Sequence, residues 1–217
     1  MVEKILKKIG EQYPLTEYAE NDFRTFKANG MTFTTHAYHA KGFGHVSVMQ
    51  ANGFFGLMKM DTLIVSPEDK DLPLFSYDRI YAMGNDTLFL ELYDTTLAGG
   101  QYEKLDGVNE QYASLPERIV KEGGPHWYDS IRLAQTKSKK GKKKDTPAFD
   151  EYTLAYVDAY LNTEASLCDG KAKSAKNMEY ANGLLNNGGP ATDVLKKSMG
   201  AEKTTALFKQ VLFSERK

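Results

Sequence analysis

Five strand-like runs joined by short connections confine residues 31–93 of this 217-residue chain to an antiparallel sheet. Apolar and polar residues alternate with period two over 31–38, 44–50, 54–65, 74–83 and 87–93. Asn29-Gly30 and Asn52-Gly53 are hairpin-turn dipeptides between such runs. Parallel neighbours would need long crossovers, which these connections lack. Helical spacing brackets the region: Val2, Ile5, Leu6 and Ile9 predict a helix over 2–12, and further helices are predicted over 101–113, 149–160 and 173–185. Pro190 opens another helix that Gly200 breaks, ahead of a last one over 204–213. After Gly123-Gly124-Pro125, one more strand is predicted near 128–134. Strands followed by helices predict the α+β class, with helices covering the sheet faces. No long linker divides the chain, so 1–217 reads as one domain.

A hydrophobic content of 41% and a charged content of 26% are those of an ordinary globular protein. The net charge of −1 argues against a nucleic-acid or acidic-membrane partner. No signal peptide and no apolar run of membrane-spanning length are visible, so a cytoplasmic setting is expected. One cysteine, Cys168, excludes an internal disulfide and any Cys-rich metal or iron–sulfur site. Lys137, Lys139, Lys140, Lys142, Lys143 and Lys144 place six lysines in eight residues. Such a run reads as a flexible, solvated loop, or as a landing patch for an acidic partner.

Within the fourth strand run stands Asp78, flanked by Leu74, Phe75, Ile80, Tyr81 and Met83. Aspartate is depleted in strands and seldom buried without a partner. It therefore either points to water or pairs with Arg79, or it is an acid whose pKa burial raises toward neutrality.

The segment Leu72-Pro73-Leu74-Phe75-Ser76-Tyr77-Asp78 fits the Leu-Pro-x-Phe-x-x-Asp motif of the ferredoxin-dependent bilin reductases, and Leu90-Glu91-Leu92-Tyr93-Asp94 is similar to their next strand. Val194-Leu195, Met199-Gly200 and Val211-Leu212-Phe213 resemble the family's C-terminal pattern, and Trp127 with Ser130 gives a third match. The chain thus resembles that family, of which red chlorophyll catabolite reductase is a distant relative. The resemblance implies a three-layer α/β/α sandwich with a central antiparallel sheet. It implies reduction of a linear tetrapyrrole such as biliverdin through radical intermediates, with protons from side chains. It implies no tightly bound cofactor, and electrons from ferredoxin or flavodoxin, which would dock as an acidic partner on the Lys137 to Lys144 run.

Residue by residue, Asp78 matches the family's proton-donating aspartate. His45 matches the histidine of a His-x-Glu segment, with Ser47 in place of the glutamate. Asp61, or Met60 with a one-residue slip, falls where the family has a catalytic histidine. If Asp61 and Asp78 face one cavity they share a proton; otherwise Asp61 points to solvent. Asn187-Gly188-Gly189-Pro190 replaces a family aspartate or basic residue. Gly188 and Gly189 could offer bare N–H groups to a propionate, or simply let the chain turn. Arg132 and Lys137 are the candidate propionate partners, and Phe75 a substrate contact. Tyr152, Tyr156 and Tyr160 read as core, with rings that could also floor a flat ligand. His36 and His39, three apart on a strand, face opposite sides. The altered companions of Asp78 leave a second reading, a non-catalytic binder of a tetrapyrrole or another planar ligand.

Overall fold

The computed structural model describes residues 1–119 and 126–215. Gly123, Gly124 and Pro125 lie outside the described residues. A helix, α1 (Val2–Gln12), leads into strands β1 (Leu15–Glu17), β2 (Thr25–Ala28), β3 (Met31–Ala40), β4 (Gly44–Gly53), β5 (Met58–Pro67), β6 (Leu74–Ala82) and β7 (Asn85–Tyr93). Then come α2 (Glu103–Gln111), β8 (Lys137–Lys142), α3 (Thr146–Leu161), α4 (Gly170–Asn187), α5 (Pro190–Met199), α6 (Ala201–Leu207) and a π-helical turn, Phe208–Leu212. All strand pairs are antiparallel, in the order β1-β3-β4-β5-β6-β7-β8, with β2 also on β3.

Period-two alternation divides the side chains between two cores. On one face Val46, Val48, Leu63, Val65, Phe75, Tyr77, Leu88 and Leu90 pack under α1, α2 and α3. On the other, Met49, Ala51, Ile64, Leu74 and Tyr93 pack under α4, α5, α6 and the C-terminal turn. The architecture is therefore the expected three-layer sandwich, with helices on both faces of one antiparallel sheet. These are called the first and second faces below.

Three local expectations are corrected. Asn52-Gly53 is not a turn: both residues remain in β4, opposite Lys59 and Met58, and the chain reverses at Phe54–Gly56. Residues 128–134 form no strand; Trp127–Ile131 is a 3-10 turn. The strand that extends the sheet past β7 is the lysine run, paired from Asn85↔Lys142 to Leu90↔Lys137. Its polarity hid it from pattern reading, but lysines suit an edge strand, where they discourage pairing with other chains. Lys139 alternates inward, is 2% exposed, and ends on the Glu117 carboxylate at 2.5 Å. The run is thus ordered sheet at its start, not a flexible loop.

Helix α4 begins three residues earlier than its apolar periodicity predicts, because the Asp169 carboxylate accepts hydrogen bonds from the amides of Lys171 and Ala172. Its buried Lys173 donates to the Thr95 carbonyl at 2.8 Å and the Thr95 hydroxyl at 2.9 Å, tying the helix to the chain leaving β7. Burial lowers the Lys173 ammonium to about 8.

Candidate functional site

Alternation along β6 sends Phe75, Tyr77 and Arg79 to the first face, and Ser76, Asp78 and Ile80 to the second. Asp78 lies between Thr62 of β5 and Phe89 of β7. One carboxylate oxygen accepts the Thr62 hydroxyl and the other accepts the Ser76 hydroxyl at 3.1 Å. Burial raises the Asp78 carboxyl above its ordinary range, and the two hydroxyls pull it back. Asp78 does not pair with Arg79, whose guanidinium is fully buried on the first face with Asp86.

A second carboxylate stands beside it. Glu91 is opposite Ser76, so it shares the second face and is a diagonal neighbour of Asp78. Burial, and next the charge of Asp78, push the Glu91 carboxyl up to about 7, while Arg132 and the Tyr93 hydroxyl lower it. Tyr93 donates to Glu91 Oε2 at 3.0 Å, and its ring stacks on Tyr180 of α4 at 4.3 Å. Tyr180 in turn hydrogen-bonds to the Tyr93 phenol. Asp78 and Ser76 thus form one hydrogen-bonded pair, and Glu91, Tyr93 and Tyr180 form a second hydrogen-bonded group beside it on the same face, reaching from the sheet to a helix. Tyr180 also lines a cleft of about 400 Å³, walled with it by Trp127 and Ile131 and edged by Asp94, Lys176 and Glu179. Asp78 does not itself line that cleft.

Two arginines attend this face. Arg132 bonds Asp129 at 3.1 Å and approaches Glu91 at 3.9 Å, with its guanidinium 5.0 Å from the Tyr128 ring centre. It follows a 3-10 turn rather than sitting on a strand. Arg118 lies over the Phe89 ring at 5.0 Å, next to the position of Asp78.

The remaining predicted residues are placed elsewhere. Asp61 faces away from Asp78: it is opposite Arg79, accepts from Gln50 at 2.8 Å, and belongs to the first face. The expected Asp61–Asp78 acid pair is therefore not formed. Met60, the one-residue alternative, does share the second face. His45 is on the second face but lies two strands across and four residues along from Asp78, about 16 Å away by strand geometry. His45 Nε2 meets the Val211 carbonyl at 2.7 Å, and Ser47 donates to the Leu212 carbonyl at 2.9 Å. A carbonyl only accepts, so Nε2 carries the ring proton, and the pair pins the C-terminal turn to the sheet.

Phe75 belongs to the first core, between Tyr156 and Tyr160 at 5.8 and 5.2 Å. Those tyrosines and Tyr152 cannot floor a ligand at Asp78, because the sheet lies between. Lys137 is opposite Leu90, on the first face, and donates to the Ala134 carbonyl at 3.1 Å. Gly188 and Gly189 join α4 to α5. Gly188 has φ 84, and a side chain there would meet the Asp193 carboxylate at 3.0 Å. The anion at this helix start is thus the protein's own, and the Gly188 carbonyl holds the Trp127 indole at 2.9 Å. His36, on the first face, bonds Glu17 at 2.8 Å, and His126 stacks on Tyr128.

Glu91, Tyr93 and Tyr180 are what sequence reasoning missed. Glu91 left a usable signal: a reversal at Met83-Gly84 puts residues 76 and 91 opposite one another. Tyr180 left none, since its contact with Tyr93 spans 87 residues.

The Glu91 carboxyl has a thermodynamic consequence. Between pH 4.5, its ordinary value, and about 7, the folded chain keeps a proton that the unfolded chain releases. Stability contributed through Glu91 is therefore complete below about 4.5 and falls as pH rises to about 7, by about 3 kcal/mol at most. Urea midpoints at pH 4.5 and 7.5 should diverge less for Glu91→Gln than for wild type. An equal divergence would contradict the raised carboxyl.

No family model and no curated protein sequence matches the chain. Among solved structures it is similar to phytochromobilin synthase from tomato, determined in complex with biliverdin. The TM-score is 0.70 at 12% identity, over 98% of this chain and 81% of that one. At that identity the likeness is one of fold: the chain has the three-layer fold of phytochromobilin synthase.

Proposed function

We propose that the protein reduces a linear tetrapyrrole of the biliverdin type on the second face of the sheet, with Asp78 as proton donor. The observation that carries this reading is the pairing of Asp78 with Glu91, two carboxyls on one sheet face that burial biases toward the protonated form. Saturating one double bond takes two electrons and two protons. Asp78 supplies one proton to the bound bilin, and Glu91, fed by Tyr93 and Tyr180, supplies or replaces the second. The two electrons come singly from ferredoxin or flavodoxin, an acidic carrier that the lysines of β8 and the following turn attract. Arg118, over the Phe89 ring, and Arg132, beside Glu91, are the cations assigned to meet the propionates. The tomato enzyme's biliverdin, held by the same fold, supports the ligand class.

A visible-absorption titration with biliverdin tests the binding half: a shifted, saturable band is expected, and an unchanged spectrum rejects the ligand. Anaerobic addition of reduced ferredoxin tests the chemistry. A shifted band that stays unchanged on reduction would leave a tetrapyrrole carrier rather than a reductase.

A further inference from the structure

At one end of the sheet the hairpin tips carry large apolar side chains into water. The β4–β5 turn presents Phe54, Phe55 and Leu57, at 52%, 107% and 70% exposure, and the β6–β7 turn presents Met83 at 89%. The register sets these tips side by side, since Gly53 is opposite Met58, Met58 opposite Ala82, and Ala82 opposite Asn85. The same row ends at Lys142, opposite Asn85. Exposed Lys142 therefore stands beside the Met83 turn, exposed Lys143 and Lys144 follow it directly in the chain, and exposed Lys59 flanks the Phe55 turn. The nearest acid in sequence, Asp145, turns its carboxylate onto the Lys142 amide at 2.8 Å. A net charge of −1 conceals this local basic end.

Backbone geometry makes the choice of residues more telling. Phe54, Phe55 and Met83 have φ of 52, 56 and 50, in the left-handed region where Gly and Asn sit at least cost. The neighbouring β2–β3 turn follows that rule, with Asn29 and Gly30. Bulky apolar residues here lose both backbone freedom and shelter from water, and retained strain of this kind marks a working surface. The exposed side chains sit on turns beyond the last ladder pairs. Points that project beyond the sheet suit a fluid surface they can enter better than a rigid one that must offer a matching pocket for each.

We propose that this end of the sheet docks on an anionic membrane surface. Phe54, Phe55, Leu57 and Met83 enter the boundary between headgroups and acyl chains, and Lys59, Lys142, Lys143 and Lys144 face the anionic headgroups. Among the described residues no helix is long and apolar enough to cross a membrane, so the contact is peripheral. It stands independently of the chemistry assigned to Asp78, although the electron carrier and the headgroups would then compete for Lys142, Lys143 and Lys144.

Co-sedimentation of the full chain with phosphatidylcholine vesicles, with and without phosphatidylserine, tests it. Binding is expected only to the phosphatidylserine vesicles and should weaken as salt is raised. Phe55→Ser with Leu57→Ser should lower the partition about tenfold or more, and each of Lys142→Gln and Lys143→Gln about fivefold. These side chains are exposed, so unchanged circular dichroism and melting would exclude misfolding. No binding to the phosphatidylserine vesicles at low salt overturns the proposal, as does unchanged binding by the serine variant. It is also overturned if vesicles go unbound while the serine variant abolishes self-association or binding of an acidic protein carrier, for the tips would then be a protein interface.

Discussion

Arg79→Met should destabilise the protein by about 3–5 kcal/mol. Arg79 is fully buried, its Nε and one terminal nitrogen grip both oxygens of Asp86, the latter at 2.7 Å, and Asp150 lies 3.5 Å away. Its guanidinium lies 5.2 Å from the Phe149 ring centre and 5.3 Å from that of Tyr81. Methionine fills much of the volume but leaves Asp86, 1% exposed, with the Thr146 hydroxyl at 2.6 Å as the remaining side-chain donor to its charge among the described residues. An unpaired buried carboxylate is what makes breaking such a pair expensive, whereas removing both charges is often nearly neutral. Arg79→Met with Asp86→Leu should therefore recover more than half of the loss. Urea unfolding of the three proteins measures it. A single-variant cost below about 1 kcal/mol would show that the pair does not hold the β6–β7 hairpin to α3.

Asp78→Asn should lower the rate of bilin reduction about 100-fold or more while biliverdin affinity changes little. The amide keeps the shape of the carboxyl and an oxygen for the Thr62 or Ser76 hydroxyl, but it has no proton to give near neutral pH. Removing the Asp78 charge also removes one of the causes that raise Glu91, so the Glu91 carboxyl should titrate lower in this variant. In wild type the donors must be protonated, so turnover should fall as pH rises through about 7. Glu91→Gln should move that descent. Stopped-flow reduction under anaerobic conditions, repeated across pH, reads the rate loss, the descent and its shift, and wild-type turnover by Asp78→Asn would sink the assignment of the acid.

The sheet was legible in the sequence because hairpin strands obey local rules. Alternation fixes which residues share a face, and short connections force antiparallel neighbours. Phe75 and Asp78, three apart on one strand, had to point to opposite faces on those grounds alone. So did Asp61 and Asp78 once Thr62 is set opposite Asp78, but that step needs the β5–β6 register. The 72–78 motif likewise pointed to a fold that the tomato structure shares.

What the sequence by itself determined is the antiparallel core of the sheet, the apolar stripes of its helices and the place of Asp78 within a strand. Tertiary structure decided the rest. The lysine run became a strand because the free edge of β7 offered it backbone partners, against its own weak strand preference. His45 became an anchor because the chain's end folded back over it. Glu91 became the companion of Asp78 because register and burial, which no single stretch of sequence carries, brought two carboxyls and two tyrosines from β6, β7 and α4 to one place.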